Sequence, residues 1–397
     1  MPSANAPAKS HKVRPNHVLI ATGGSGGHIF PGLAIAVELR RKGFTCSFIG
    51  YGKSFAPMVK EAGFDFIALP ATQWNVPSLK VRIKALADLA QAFVLACKLI
   101  YKERPKAVVG MGGYGSVAAV LAARILFVPT AIHEQNVFPG KANRLLSRFA
   151  HKVLLAFDAS RQYLPHVSAG KFAVVGNPLR DEVLALTGQP RAEGDTFNLL
   201  VFGGSQGTRL FADVVPDAIG RLNPSQRQHL VVTHQARPED VERVRTAYRN
   251  IDVAATVEPF FTDLPKRLHA AHLVIGRAGT GTVTECAALN RASILVPLRL
   301  ADGHQKYNAQ VLANVKASLL MEENTFTVDA VSNTLRDLMT SRARLHEMEK
   351  NAALIARPQA AREAADEIAQ LANPEPKTKP APKERNLDVK LPFDPTD

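Results

Sequence analysis

Residues 17–42 read HVLIATGGSGGHIFPGLAIAVELRRK. An apolar run, residues 17–22, ends in Gly23-Gly24-Ser25-Gly26-Gly27-His28, and an amphipathic pattern over residues 31–42 comes next. A buried strand, a glycine turn and a helix in that order predict the opening unit of a parallel α/β sheet. Glycines let backbone N–H groups crowd an anion, and the start of the next helix adds partial positive charge. A tight turn without any ligand is the plainer alternative.

Working outward, the unit repeats. Strand candidates at residues 45–49, 107–109, 130–132 and 152–155 alternate with helical patterns such as 116–126. The alternation restarts at Phe197, with candidates at 197–202, 229–233, 254–257, 273–275 and 293–296. The expected fold class is therefore α/β, with two Rossmann-like, doubly wound domains at residues 17–175 and 197–342. Gly, Pro and charge mark residues 176–196 as a linker, and residues 343–372 read as helical. A polar, basic tail at 1–16 and a Pro- and Lys-rich tail at 373–397 cannot bury enough apolar area to fold.

The totals agree with two domains. The chain has 397 residues, 46% hydrophobic and 21% charged. A net charge of +14 suits anionic partners. No nucleic-acid-reading motif or zinc-finger spacing is present, so nucleic acid is not an expected partner. Cys46, Cys97 and Cys286 are scattered, as in a reducing compartment. No signal peptide and no uninterrupted apolar stretch of about 20 residues is seen, so membrane contact is expected to be peripheral. One segment suits such contact. Trp74, Val76, Leu79, Val81, Ile83, Leu86, Leu89 and Phe93 interleave with Lys80, Arg82 and Lys84. Apolar groups of that kind enter an interface while the cations meet anionic lipid; a core-packed helix with a solvated basic face is the alternative.

Two further glycine turns come directly after strands: Gly110-Met111-Gly112-Gly113-Tyr114-Gly115-Ser116 and Gly203-Gly204-Ser205-Gln206-Gly207. Turns at strand ends in both domains point to one ligand cleft between them. A dinucleotide fingerprint is excluded, because Ile29 stands where its last glycine belongs and no acid ends the next strand. After Arg277-Ala278-Gly279-Thr280-Gly281-Thr282, Glu285 lies one helical turn in, where a carboxylate can accept ribose hydroxyls. Asp302-Gly303-His304-Gln305 suits sugar hydroxyls, or a plain helix cap.

The ordered set GGSGGHIFPGLAIA, GMGGYGS, HEQN (133–136), GNPLR (176–180), GGSQG and TVTE, with the later HQ and Asn308, resembles the MurG family from residue 17 to about 371. That family moves N-acetylglucosamine (GlcNAc) from UDP-GlcNAc to the C4 hydroxyl of lipid I, giving lipid II in peptidoglycan synthesis. The resemblance implies a GT-B fold, with UDP-GlcNAc held by the second domain. The lipid-linked acceptor lies against the first, at the cytoplasmic face of the bacterial inner membrane, and cell-wall synthesis proteins are further partners. The last helix is expected to return to the first domain. Carried over by motif, Ser25, Gly26 and Gly27 form a phosphate-facing turn, with Gly112, Gly113 and Tyr114 on the acceptor side. Asn136 contacts the donor sugar, and Arg180 and Ser205 serve its diphosphate. Phe261 stands where backbone reads the uracil. Thr280, Gly281, Thr282, Val283 and Thr284 line the nucleotide, Glu285 takes the ribose and Gln305 the GlcNAc. Two departures are Ser116-Val117-Ala118-Ala119, where a Gly-Pro pair is common, and the bulk of Phe261.

The chemistry expected is inverting, single displacement. His28 is the first candidate for the base, with an ordinary pKa near ~6.5, and Glu134 is the second. His28 could instead orient substrate. No D-x-D pair is present, so no metal and no cofactor is expected; helix N-termini, Arg180 and backbone donors would meet the charge on departing UDP. A UDP-GlcNAc 2-epimerase and a non-catalytic UDP-sugar-binding subunit are the alternative functions.

Overall fold

A computed structural model describes residues 15–51, 55–70, 79–192, 194–204, 207–299 and 303–374, without the side chains of 79–82. Nearly all of both expected tails falls outside these residues, as do Trp74, Val76 and Ser205. So do the side chains of Leu79, Lys80, Val81 and Arg82.

The first domain alternates strands and helices: β1 (His17–Thr22), α1 (Gly26–Arg41), β2 (Thr45–Gly50), α2 (Ala56–Glu61), β3 (Asp65–Ala68), α3 (Leu79–Glu103), β4 (Ala107–Gly110), α4 (Tyr114–Ile125), β5 (Thr130–Glu134), α5 (Lys141–Leu146), β6 (Lys152–Leu155) and β7 (Phe172–Val174). After α6 (Asp181–Leu184) the second sheet begins, with β8 (Phe197–Phe202), α7 (Arg209–Gly220), α8 (Pro224–Gln228), β9 (Leu230–Gln235), α9 (Val241–Asn250), β10 (Ala254–Glu258), α10 (Leu264–Ala270), β11 (Leu273–Gly276), α11 (Thr280–Ala288), β12 (Ala292–Leu295), α12 (His304–Asn314) and β13 (Ser318–Leu320). Three helices close the chain: α13 (Val328–Thr340), α14 (Arg342–Ala353) and α15 (Ala360–Ala372).

Both sheets are parallel, in the orders β3-β2-β1-β4-β5-β6-β7 and β10-β9-β8-β11-β12-β13. Each reverses direction beside its first strand, at β1/β4 and at β8/β11. Such switch points leave a crevice at the strand C-termini. All six residues of β1 are buried, because helices cover both faces of the sheet. In the first domain α1 and α15 cover one face, and α3 and α4 the other. In the second, α7, α9 and α13 lie on one face, and α11 and α12 on the other.

The expected continuous helical stretch at 343–372 is two helices with different partners. Leu345 and Met348 of α14 stay in the second domain's core, whereas Ala364, Ala365 and Ile368 of α15 pack into the first domain's core against α1. Only α15 returns. Gly176, at φ +88°, turns the chain directly under it: a Cβ there would meet that of Arg357 at 2.7 Å.

Candidate active site

A cleft of about 980 Å³ lies between the sheets, walled by both domains. On the first domain's side the two glycine turns touch. A Cβ on Gly113 would come within 2.9 Å of the Gly23 Cα, so neither turn tolerates a side chain there. Gly112 and Gly113 have φ of +96° and +72°, a region that L residues rarely adopt.

The room so made is filled by His28. Its Nδ1 is 2.8 Å from the Ser25 Oγ, and its Nε2 lies over Gly112, where a Cβ would be 3.0 Å away. If Nδ1 carries the proton and donates to Ser25, Nε2 presents a lone pair beside the second turn. Burial lowers the imidazole pKa to about 4, so the ring is neutral at physiological pH. Ser25, Gly26, Gly27, Gly112, Gly113 and Tyr114 all line the cleft.

Glu134 also reaches the cleft wall, but its carboxylate is occupied. Oε1 accepts from the backbone N–H of Asn136 at 2.8 Å and from its side-chain amide at 3.3 Å. Oε2 accepts from the Gly140 N–H at 3.0 Å and from the Asn143 amide at 2.9 Å. Burial pushes this carboxyl above its usual range while those four donors hold it down. Bound four times over, this carboxylate holds the 134–143 loop in shape.

The other members of the same motif also tie elements together. His133 Nε2 meets the Gly176 carbonyl at 3.0 Å, and the Gln135 amide donates to the Met111 carbonyl at 2.9 Å. Asn136 crosses the cleft: its Oδ1 accepts from Thr280 Oγ1 at 2.8 Å and from the Asn308 amide at 3.0 Å. Asn308, fully buried, returns a bond by accepting from the Val137 N–H at 3.0 Å. Beside this junction Phe138 stacks on Tyr307 with ring centres 5.4 Å apart. Tyr163 packs edge-on against both rings, so the domains are joined at the cleft floor by one hydrogen-bonded cluster and one aromatic trio.

On the second domain's side, α11 begins at Gly279 with no side chain capping it, so its first N–H groups face the cleft. That end attracts anions. Arg180, from the linker, donates from Nη2 and Nε to the Glu285 Oε1 at 2.8 and 3.1 Å. Burial raises the Glu285 pKa, and Arg180 pulls it back. The two residues expected to hold diphosphate and ribose therefore hold each other, and both line the cleft. Phe261 forms wall with its ring 4% exposed and the Arg267 guanidinium 4.3 Å above it.

Three residues of the expected set lie outside the lining. Val283 is fully buried in the core of the second domain, on the side of α11 opposite Thr280, Gly281, Thr282 and Glu285, and Thr284 accepts at 3.2 Å from Asn177, which does line the cleft. Gln305 does not line the cleft either. Its Oε1 accepts from the Leu298 N–H at 2.9 Å, and its neighbour His304 takes the wall position. Asn143 and Asn177 are additional site residues, and only the second belonged to a motif visible in the sequence. Among the described residues no group of three or more His, Cys, Asp or Glu is placed to hold a metal ion.

Residues 18–155 match the glycosyltransferase family 28 N-terminal domain, and residues 198–370 its C-terminal domain. A UDP-N-acetylglucosamine–N-acetylmuramyl-(pentapeptide) pyrophosphoryl-undecaprenol N-acetylglucosamine transferase of Bradyrhizobium sp. is 39% identical over 363 residues, covering 88% of this chain and 96% of its own. Among solved structures, MurG of Acinetobacter baumannii superposes with a TM-score of 0.74 at 30% identity, covering 90% of this chain and all of its own. A UDP-GlcNAc 2-epimerase from Neisseria meningitidis reaches 0.66 at 12% identity, over 89% of this chain and all of its own, a likeness of fold alone.

Proposed function

The chain belongs to the MurG family of family 28 glycosyltransferases, and from that premise we propose how its cleft moves GlcNAc from UDP-GlcNAc to lipid I for peptidoglycan synthesis. The observation that carries the mechanism is a neutral His28 on the first domain's glycine turns, across the cleft from the free N-terminus of α11. Donor and acceptor are each assigned to one wall.

UDP-GlcNAc sits on the second domain. Its diphosphate meets the first N–H groups of α11, and its ribose meets Glu285, whose Oε2 is left over by Arg180. The acceptor's C4 hydroxyl points at the His28 Nε2. As this oxygen attacks the anomeric carbon from the face opposite UDP, its proton passes to Nε2, the sugar–phosphate bond breaks, and the configuration inverts. Ser25 steadies the resulting imidazolium through Nδ1. A pKa near 4 makes a weak base, but the diphosphates of both substrates favour the charged ring and raise it toward the working range. The α11 dipole meets the charge on departing UDP.

The acceptor is lipid-linked, and no helix among the described residues is long and apolar enough to cross a membrane. The docking face proposed is the outer side of α3, where Ile83, Leu86, Val94 and Tyr101 are exposed among Lys84, Lys98 and Lys102. Beside it, after α4, Phe127 is 86% exposed and held at φ +56°, an uncommon backbone for a bulky residue and one that sites of function tend to retain. An apolar strip edged by lysines suits the anionic cytoplasmic leaflet.

The test is transfer of labelled GlcNAc from UDP-GlcNAc to a short-chain lipid I analogue, with wild type beside His28→Ala. Transfer by wild type, lost in the variant with UDP binding kept, is expected. A folded wild type that binds UDP-GlcNAc yet transfers nothing would overturn the assignment.

A further inference from the structure

A second cavity, of about 1310 Å³, shares no lining residue with the cleft. In a parallel sheet every strand starts at the same end, and Phe197, His272 and Arg291 stand at or just before the starts of β8, β11 and β12. The cavity therefore opens at the N-terminal end of the second sheet, away from donor and acceptor. Helices α8, α13 and α14 and the linker form its other walls.

Among its described lining residues the cations outnumber the carboxylates. Arg191, Arg291, Arg342 and Lys350 line it, with Asp195 and Glu349 as the only carboxylates among the described lining residues. Glu349 is divided: its Oε1 is 2.5 Å from the Arg191 Nη1 and 3.8 Å from the Arg291 Nη1. Arg291 is 5% exposed, and its Nε has no hydrogen-bond partner. Its Nη1 reaches the Ala271 carbonyl only at 3.4 Å. A buried guanidinium left with one shared carboxylate is costly, and an anion in the cavity beside Arg291 offsets that cost. Burial and the Arg191 charge lower the Arg291 pKa to about 10, the direction that incomplete neutralisation produces. Arg342 and Lys350 stand exposed on the rim. Phe197 and His272 stack at 5.4 Å and make one wall flat; His272, held near pKa 4, adds no charge at neutral pH.

We propose that this cavity is a second ligand site, taking a small soluble phosphate-bearing anion whose phosphate completes the shell of Arg291 and whose remaining charge meets Arg342 and Lys350. Planar guanidinium groups bind phosphate oxygens in pairs, which suits an arginine-lined pocket to this class.

The experiment is calorimetric titration of the full chain with inorganic pyrophosphate, under saturating UDP so that the donor site is filled. Uptake of one pyrophosphate per chain is expected, weakened roughly tenfold or more in Arg342→Glu/Lys350→Glu with UDP affinity unchanged. Both residues are exposed, so the double variant keeps its fold where Arg291→Ala risks losing it. Slower amide exchange on pyrophosphate addition is expected at residues 189–197 and 342–353. No uptake by wild type, or equal uptake by the double variant, overturns the proposal. Phosphatidylglycerol vesicles bound through Arg342 and Lys350, with pyrophosphate ignored, would also overturn it by assigning the phosphate to a lipid surface.

Discussion

The two walls of the cleft are built from the same strand order, yet they handle charge in opposite ways. The first domain's wall removes it: two glycine turns press together around a half-buried, neutral imidazole. The second domain's wall collects it, with a bare helix N-terminus and an Arg180–Glu285 pair. One scaffold, used twice, thus carries the proposed base on one wall and the proposed diphosphate cradle on the other. The difference lies in the side chains set beside those turns: His28 against Gly112 in one domain, the Arg180–Glu285 pair beside the start of α11 in the other.

The largest effect that could break this comparison is in the base. His28→Ala should lower kcat by about 10²–10⁴-fold with UDP affinity kept, read by the transfer assay beside a UDP titration. The pH profile sharpens the point. A folded-state pKa near 4 leaves the base neutral above that value, so the acid limb of kcat/KM should fall below the ordinary imidazole range, and an inflection near 6.5 would contradict it. On the opposite wall, Glu285→Ala removes the ribose contact and frees Arg180. UDP binding should weaken by about 2 kcal/mol, or roughly thirtyfold, measured by calorimetry. Equal UDP affinity in this variant would move the ribose elsewhere.

Between the walls, Asn308→Ala strands the Val137 N–H and one side of Asn136. Thermal unfolding should show a loss of about 1–3 kcal/mol, and kcat/KM should fall with it. At the outer face, Lys84→Glu/Lys98→Glu/Lys102→Glu should reduce sedimentation with anionic vesicles roughly tenfold while transfer to a detergent-soluble acceptor persists. Unchanged sedimentation would remove α3 from the membrane face. The smallest effect is expected from EDTA, which should leave transfer unaltered; loss of turnover restored by Mg²⁺ would contradict a charge-meeting role for α11 and Arg180.

Much of the fold was legible, and the strands that were missed have a common cause. β3, β7 and β13 stand at sheet edges. Their burial is partial, so they carry no long apolar run, and only hydrogen bonding to an inner strand makes them strands. The inner strands announced themselves because both of their faces are covered, whereas β10, an edge strand too, was legible from its short run at Ala254–Val257. Within the site, His28, the glycine turns and Glu285 were legible from position after a strand. Val283 lies outside the lining because a motif names consecutive residues, while a helix turns about 100° at each one.

By itself the sequence determined the strand–turn–helix units, the two domains and the family, since each rests on residues close together in the chain. Tertiary structure alone decided that Glu134 accepts four hydrogen bonds, that Arg180 pairs with Glu285, and that Asn136 meets Thr280 and Asn308. These partners, apart from those of Glu134, lie more than 100 residues apart. No local periodicity encodes such a meeting; it arises when two sheets, each burying its own core, bring their strand ends to one cleft.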